Sequence, residues 1–388
     1  MPNLSTKPSD VAIIGSGIIG LSLAWRLAQN GLHVTVFGPE SLEGTTSYWA
    51  AGMLSPCCEA KPTEERLLAF NLQAKAAWPQ FVDDLHSAWG QSVGYRSIGT
   101  VHVAITEDER ARLTHTYNFQ KSLGLPLEPL SHDGCLEREP YLSPRITQGV
   151  FSPEDHQVDP RLVLQALTYA CKTAGVQRVY TKVEQIEFQS SQITRLMAQD
   201  TWWTPGHTVI AAGVYSSDLP GLPPHLRPPL HPVKGQSLMV HMNPHAPLCR
   251  HVIRGCGIYM VPHTSGRLVI GATSEEKGFD EAATFGAHLA LMEAAWRLFP
   301  GIEELALGER GVGFRPGTRD GAPILGPSSL TDPIPNLTYA TGHYRHGILM
   351  APLTAQWLTQ WICDHHLPEN MASFSLERFH AIAPRKIA

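Results

Sequence analysis

The sequence lacks a basic surplus: 30 Lys and Arg stand against 35 Asp and Glu, a formal charge of -5. Phosphate backbones and anionic lipid surfaces require the opposite sign, so neither a nucleic-acid partner nor stable membrane association is expected. A C-x-x-C pair is also missing. The seven cysteines, Cys57, Cys58, Cys135, Cys171, Cys249, Cys256 and Cys363, are odd in number and scattered, which argues against a disulfide framework and a thiolate zinc site. A reducing, cytoplasmic compartment is the expectation. No long uncharged apolar run is present; VAIIGSGIIGLSLAWRLA at 11–28 comes nearest, but Asp10 precedes it and Arg26 interrupts it. Histidines are plentiful, and His241, His245 and His251 fall close together. Pro244 prevents a helical i, i+4 pair there and no carboxylate completes a ligand set, so no metal site is expected.

What is present is length and core. A chain of 388 residues with 43% hydrophobic content suits two domains. DVAIIGSGIIGLSLAWRLAQNG reads as a buried strand (Val11 to Ile14), a tight turn and a helix closing near Gly31. Gly15, Gly17 and Gly20 stand in G-x-G-x-x-G spacing directly after the strand. The first allows the turn, the second lets a pyrophosphate approach the backbone, and the third lets helix and strand pack closely. Ile18 and Ile19 open the helix, whose N-terminus suits the negative charge. Gly20, Ala24 and Ala28 repeat along one helical face, small enough to lie close on a sheet.

A second strand, His33 to Phe37, should end on the carboxylate that holds an adenosine ribose, yet it runs into Gly38 and Pro39. NADP sites replace that acid with a nearby arginine, but no Lys or Arg occurs between Arg26 and Lys61, which argues against NADP and leaves NAD or FAD. Either Glu40 or backbone groups would hold the ribose. The loop EGTTSYWAAGML then supplies hydroxyls at Thr45, Thr46 and Ser47, followed by the small residues Ala50, Ala51 and Gly52 and by Met53. Small residues let backbone amides approach a flat, bulky group. This stretch resembles the D-amino-acid oxidase and glycine oxidase family of FAD-dependent amine oxidases, and the resemblance implies FAD.

Further along, residues 62–90 read as helices broken at Pro79, 94–106 as a strand, 107–124 as a charged amphipathic helix and 160–175 as an amphipathic helix. HTVIAAG at 207–213 reads as a strand closing on Ala211, Ala212 and Gly213, the family's return to its cofactor domain. LPGLPPHLRPPLHPVKG at 219–235 marks a domain crossing. QSLMVHM, GIYMVP and RLVIGATS alternate as an antiparallel sheet with one wet face. The expected architecture is α/β: a discontinuous Rossmann-like FAD-binding domain (1–90, 150–218 and 311–388) and an α+β substrate domain with a mainly antiparallel sheet (91–149 and 219–310).

GVGFRPGTRDGAPILGP at 311–327 and LTYATGHYRHGILMAPLTAQWLTQWI at 337–362 carry the remaining signal. The second reads as a strand, a polar turn and a helix from about Ile348, whose N-terminal partial charge would face the strand's end. Together with KGQSLMV, GIYMVP and RLVIGAT they extend the resemblance over most of the chain, with the closest likeness to the family's glycine-oxidising branch in thiamine formation. Matched residue by residue, the resemblance implies that Arg315 grips a substrate carboxylate and Tyr259 stands beside it. It places Arg345 in the substrate pocket, His343, Tyr344, Arg345, His346, Gly347, Ile348 and Leu349 on the flavin-contacting turn, and Val183 against adenine. Gly313 occupies the position of a covalent-flavin cysteine in relatives, so FAD would be noncovalent. Arg315 also admits a structural reading as a partner of Asp320, and Tyr259 as a packed core tyrosine.

The implied chemistry is oxidation of glycine, with sarcosine or small D-amino acids also admitted. Hydride would pass from Cα to flavin N5 and oxygen would become hydrogen peroxide, leaving an imine that yields glyoxylate and ammonia. Two departures bear on preference: His346 stands where the family carries Asn, and Ser274 replaces a methionine near the substrate. The rival readings are a D-amino-acid or sarcosine dehydrogenase with a non-oxygen acceptor, and a flavin-bearing partner of a thiazole synthase. A homo-oligomer is expected.

Overall fold

The computed structural model describes residues 7–62, 64–189 and 191–379; the outermost ends of the expected cofactor domain lie outside them. Val11 to Ile14 are all buried, because β1 (Lys7–Ile14) runs through the middle of a parallel sheet covered on both faces. On one side it pairs with β2 (Val34–Phe37), which pairs with Gln177–Val179; on the other it pairs with Thr201–Ile210, which pairs with Leu337–Thr341. Ile324–Pro327 closes that edge antiparallel. The helix α1 (Ile18–Gln29) follows the first strand, with Gly31 at φ 83 just beyond its end. Its face packs with the helices Glu65–Trp89, Pro160–Thr173 and Gly347–Asp364 into one apolar cluster on a single side of the sheet.

The helix Glu65–Trp89 is continuous through Pro79, not broken there as the sequence suggests. Phe70, Ala74, Trp78, Phe81 and Leu85 recur on one buried face on both sides of the proline, and Pro79 itself is exposed. The carbonyl that loses its partner therefore faces water, and tertiary burial outweighs the local penalty.

The second sheet contains His231–His241, Ile258–Pro262 and Arg267–Gly271 as antiparallel neighbours, with one parallel pair between Val252–Gly255 and Thr100–Ala104. One face packs on the helix Phe285–Leu298. The other was expected to be wet; instead Met239, Val252, Val261 and Val269 pack there with Ala51, Trp49 and Met53 of the loop after β2. Two expected boundaries also move. Ala306–Gly317 pairs along His231–His241, and Gln148–Ser152 pairs with Thr100–Ala104, so both belong to the second sheet. The chain thus leaves that sheet after Gly317, not at 311. Among the described residues no helix is long and apolar enough to cross a membrane.

Candidate functional site

Where the two sheets face each other, a cavity of about 760 Å³ runs from the turn after β1 to the strand Ala306–Gly317. Its nucleotide end is built from Gly15, Gly17, Ile18, Ile19, Gly38 and Val183, and its middle from Thr45, Thr46, Ser47, Ala51, Gly52, Met53, Ala212 and Gly213. At the far end stand Tyr259, Arg315, His343, Tyr344, Arg345, His346, Gly347 and Ile348. Gly20 and Leu349 do not line it. A Cβ on Gly20 would lie 2.0 Å from the Gly15 carbonyl oxygen, so this glycine lets the helix close on the turn. Leu349 is buried behind the wall, its carbonyl accepting from Trp78 Nε1 at 2.9 Å.

The cavity's shape suits an extended dinucleotide with a flat head group. The open N-terminus of α1 borders one end, and Ile18 N–H donates to Ser47 Oγ at 3.2 Å, tying the hydroxyl loop to that terminus. Thr46 Oγ1 donates to the Phe314 carbonyl at 2.9 Å, joining the same loop to the second sheet. The cavity also borders the N-terminus of Gly347–Asp364.

The missing carboxylate at Gly38 has a steric cause. A Cβ there would meet Ser16 Oγ at 2.2 Å and Ser16 N at 3.0 Å, so Ser16 fills the space that a side chain needs. Glu40 is exposed and does not line the cavity, whereas Ser16 and Ser41 do; Ser16 Oγ is buried without a partner among the described residues. The local argument against NADP also needs correction. Arg178 donates to the Pro39 carbonyl at 3.0 Å and Lys182 lines the cavity, so the fold brings basic groups to this end from about 140 residues away.

At the far end, Arg315 is half-buried, donates to the Thr273 carbonyl at 3.1 Å and also interacts with the Tyr259 hydroxyl. No carboxylate lies within ion-pair distance of it among the described residues. Asp320 is bound instead by Arg378 at 2.8 Å, which removes the structural pairing that the sequence allowed. Two bare backbone positions fix the pair of side chains. A Cβ on Gly235 would lie 2.6 Å from the Arg315 guanidinium, and one on Gly271 would lie 2.6 Å from the Tyr259 hydroxyl. Burial pushes the Tyr259 hydroxyl up, with Arg315 opposing, so it stays protonated.

Sequence reasoning missed Glu59, which lines the cavity. Arg254 Nη1 donates to it at 2.8 Å, while Arg345 Nε and His346 Nε2 each lie 3.7 Å away. Burial pushes the Glu59 carboxyl up, but Arg254, His346 and Arg345 together outweigh it and hold it down at about 2. Arg345 is therefore shared with an internal carboxylate, unlike Arg315. The sequence held no signal for this, since 195 residues separate Glu59 from Arg254. Ser274, expected near the substrate, is exposed and off the cavity; Ala272 lines it instead. Cys57 and Cys58 have their thiols pushed up by burial and Asp155, which favours the unreactive thiol form.

His343 and His346 are kept neutral by burial, at about 3 and about 4. Burial is also the largest cause that brings His102 to about 3 and His156, His207 and His263 to about 4. In the unfolded chain these rings take protons near their ordinary 6.5. The unfolded state then binds more protons, so unfolding free energy falls as pH drops from about 6.5 toward 4. A thermal midpoint that declines across that window is expected; one that stays level from pH 7 to pH 5 would contradict it.

Comparison with known proteins agrees with this geometry. The profile of the DAO family, FAD dependent oxidoreductase, matches residues 10–361. The glycine oxidase of Geobacillus kaustophilus is 33% identical over 96% of this chain and 98% of its own. The bifunctional protein ThiO/ThiG of Trichormus variabilis is 32% identical over 95% of this chain, which spans 55% of that longer protein. The crystal structure of the Geobacillus kaustophilus glycine oxidase superposes with a TM-score of 0.88 at 32% identity, covering 96% of this chain and 99% of that one. A cavity that fits an extended dinucleotide, and a family match that runs from the first strand into the last long helix, make this chain a member of the DAO family of FAD-dependent oxidoreductases.

Proposed function

We propose that the chain is an oxidase of glycine, admitting sarcosine and small D-amino acids, that returns electrons to oxygen as hydrogen peroxide. The observation that carries this reading is Arg315: a half-buried guanidinium lining the cavity, in contact with the Tyr259 hydroxyl and the Thr273 carbonyl but with no carboxylate in ion-pair distance among the described residues. A desolvated cation is costly unless paired, and a planar fork of donors fits a carboxylate. Arg315 then holds the substrate carboxylate, and the protonated Tyr259 hydroxyl donates to the same group. Gly235 and Gly271 leave the space that the two side chains occupy. Ala272 and Gly313 line the same cavity with a methyl group and no side chain at all.

FAD, when bound, supplies the hydride acceptor and the route to oxygen. Its candidate contacts are Gly15, Gly17, Ile18, Ile19, Gly38, Thr45, Thr46, Ser47, Ala51, Gly52, Met53, Val183, Ala212, Gly213 and the turn from His343 to Ile348, all on the cavity wall. The chain's own part is orientation and exclusion of water between the two sheets, which is enough when a neutral amine presents its Cα hydrogen. Arg345, 3.7 Å from Glu59, borders the same pocket and is a second candidate to orient the substrate.

Glycine should bleach the yellow enzyme under argon, and in air each glyoxylate should be accompanied by one hydrogen peroxide. Bleaching with dye reduction but little peroxide would favour a dehydrogenase. No bleaching by glycine, sarcosine or D-alanine would sink the reading. Relatives in which this chain's counterpart forms about half of a bifunctional protein support the further proposal that the imine serves a thiazole synthase partner in thiamine formation.

A further inference from the structure

A second cavity, of about 180 Å³, opens beneath the turn that joins Ile258–Pro262 to Arg267–Gly271. His263 lines it, is 4% exposed, and has no hydrogen-bond partner for either ring nitrogen among the described residues. Its Nδ1 lies 3.8 Å from Asp159 Oδ2. The other oxygen of that carboxylate is occupied by Arg267 at 2.7 Å and by the Arg161 amide at 3.0 Å. An Nδ1 proton directed at Asp159 leaves Nε2 as the open position of the ring.

Arg96 and Arg250 line the same cavity. Arg96 is half-buried and donates to the Pro262 carbonyl at 3.3 Å; burial pushes its pKa down, with Cys249 and Glu139 opposing. Neither arginine has a carboxylate within ion-pair distance among the described residues. Glu139, a buried acid whose charge reaches Arg96, is filled by the amides of Arg250 and His251 and by His251 Nδ1. A desolvated guanidinium without a counter-charge beside a buried imidazole without a partner is a costly arrangement unless a ligand completes it.

We propose that this second cavity binds a small oxyanion, held by Arg96, Arg250 and His263 in its protonated form. The cavity is distinct from the one that holds Arg315, but the strand Ile258–Pro262 runs between them, with Tyr259 at one end and Pro262 at the other. Without an anion, burial keeps His263 neutral with a value of about 4, Asp159 opposing while Arg267, Arg161 and Arg96 add to the depression. A dianion reverses the local field, so binding takes up a proton and strengthens as pH falls.

The test is titration of the FAD-loaded enzyme with sulfate, whose charge is constant over the range, at fixed ionic strength. One saturable site per chain is expected, with affinity rising by up to about tenfold per pH unit below neutrality, the limit for one linked proton. Arg250→Ala, on the exposed rim, should weaken binding by about tenfold and leave the flavin spectrum unchanged. His263→Asn should flatten the pH dependence. Acetate in place of sulfate separates a carboxylate ligand from an inorganic one, and saturation by either supports the site. Absence of saturable binding, an unchanged pH slope in His263→Asn, or displacement of sulfate by saturating glycine would overturn the proposal. The last result would place the anion on Arg315 and leave the oxidase reading intact.

Discussion

Arg315→Ala should keep its FAD and lower kcat/KM for glycine by about a thousandfold or more, because a charge-assisted fork to a buried carboxylate contributes several kcal/mol. The loss is expected to be this large because no neighbour can substitute. Tyr259 offers one donor, and Arg345 is shared with Glu59. Arg315→Lys should recover part of the loss, since a lysine supplies charge without the two-pronged geometry. Anaerobic bleaching at increasing glycine separates binding from chemistry. An alanine variant that lost its flavin while its refilled form oxidised glycine normally would show that Arg315 belongs to the cofactor and not to the substrate.

Gly38→Asp should lower FAD affinity by at least about a hundredfold, although it restores the acid that a dinucleotide strand ordinarily carries. A Cβ at this position overlaps Ser16 Oγ at 2.2 Å, so the turn between Gly15 and Gly17 must move, and with it the amides at the head of α1. Adding Ser16→Gly to the same chain removes the obstruction and should recover most of the affinity. Quenching of flavin fluorescence on refilling the apoprotein reads both variants. If Gly38→Asp binds FAD like the parent, the end of β2 has room and the steric account of the absent acid is wrong.

The parts of the site legible in the sequence share one property: they are local. Gly15, Gly17 and Gly20 announce a turn because the three fall within six residues, two in the loop and one in the first turn of the helix, and the polar turn from His343 to Gly347 lies between a strand and a helix that both show in the hydrophobic pattern. Arg315 is recognisable from its neighbours, and the fold then explains it by giving Asp320 to Arg378. Contacts that depend on distant segments could not be read. Glu59, in a turn after Met53–Leu54, meets Arg254 of the second sheet, and Lys182 reaches the nucleotide end from a loop that follows Gln177–Val179. Pro79 was misread for a related reason: its local penalty is visible in the sequence, whereas the partners of Trp78 and Phe81 are not.

The long strand Ala306–Gly317 has a consequence for synthesis. It carries Arg315 into the second sheet, while the turn after Leu337–Thr341 closes the cavity still later in the chain. The glycine loop therefore leaves the ribosome some 300 residues before the groups proposed to hold the substrate. A nascent or prematurely ended chain can offer amides to a nucleotide but has no guanidinium to hold an amino acid against it. Oxidation of an amino acid, on the proposed reading, is thereby deferred until these late segments have been made.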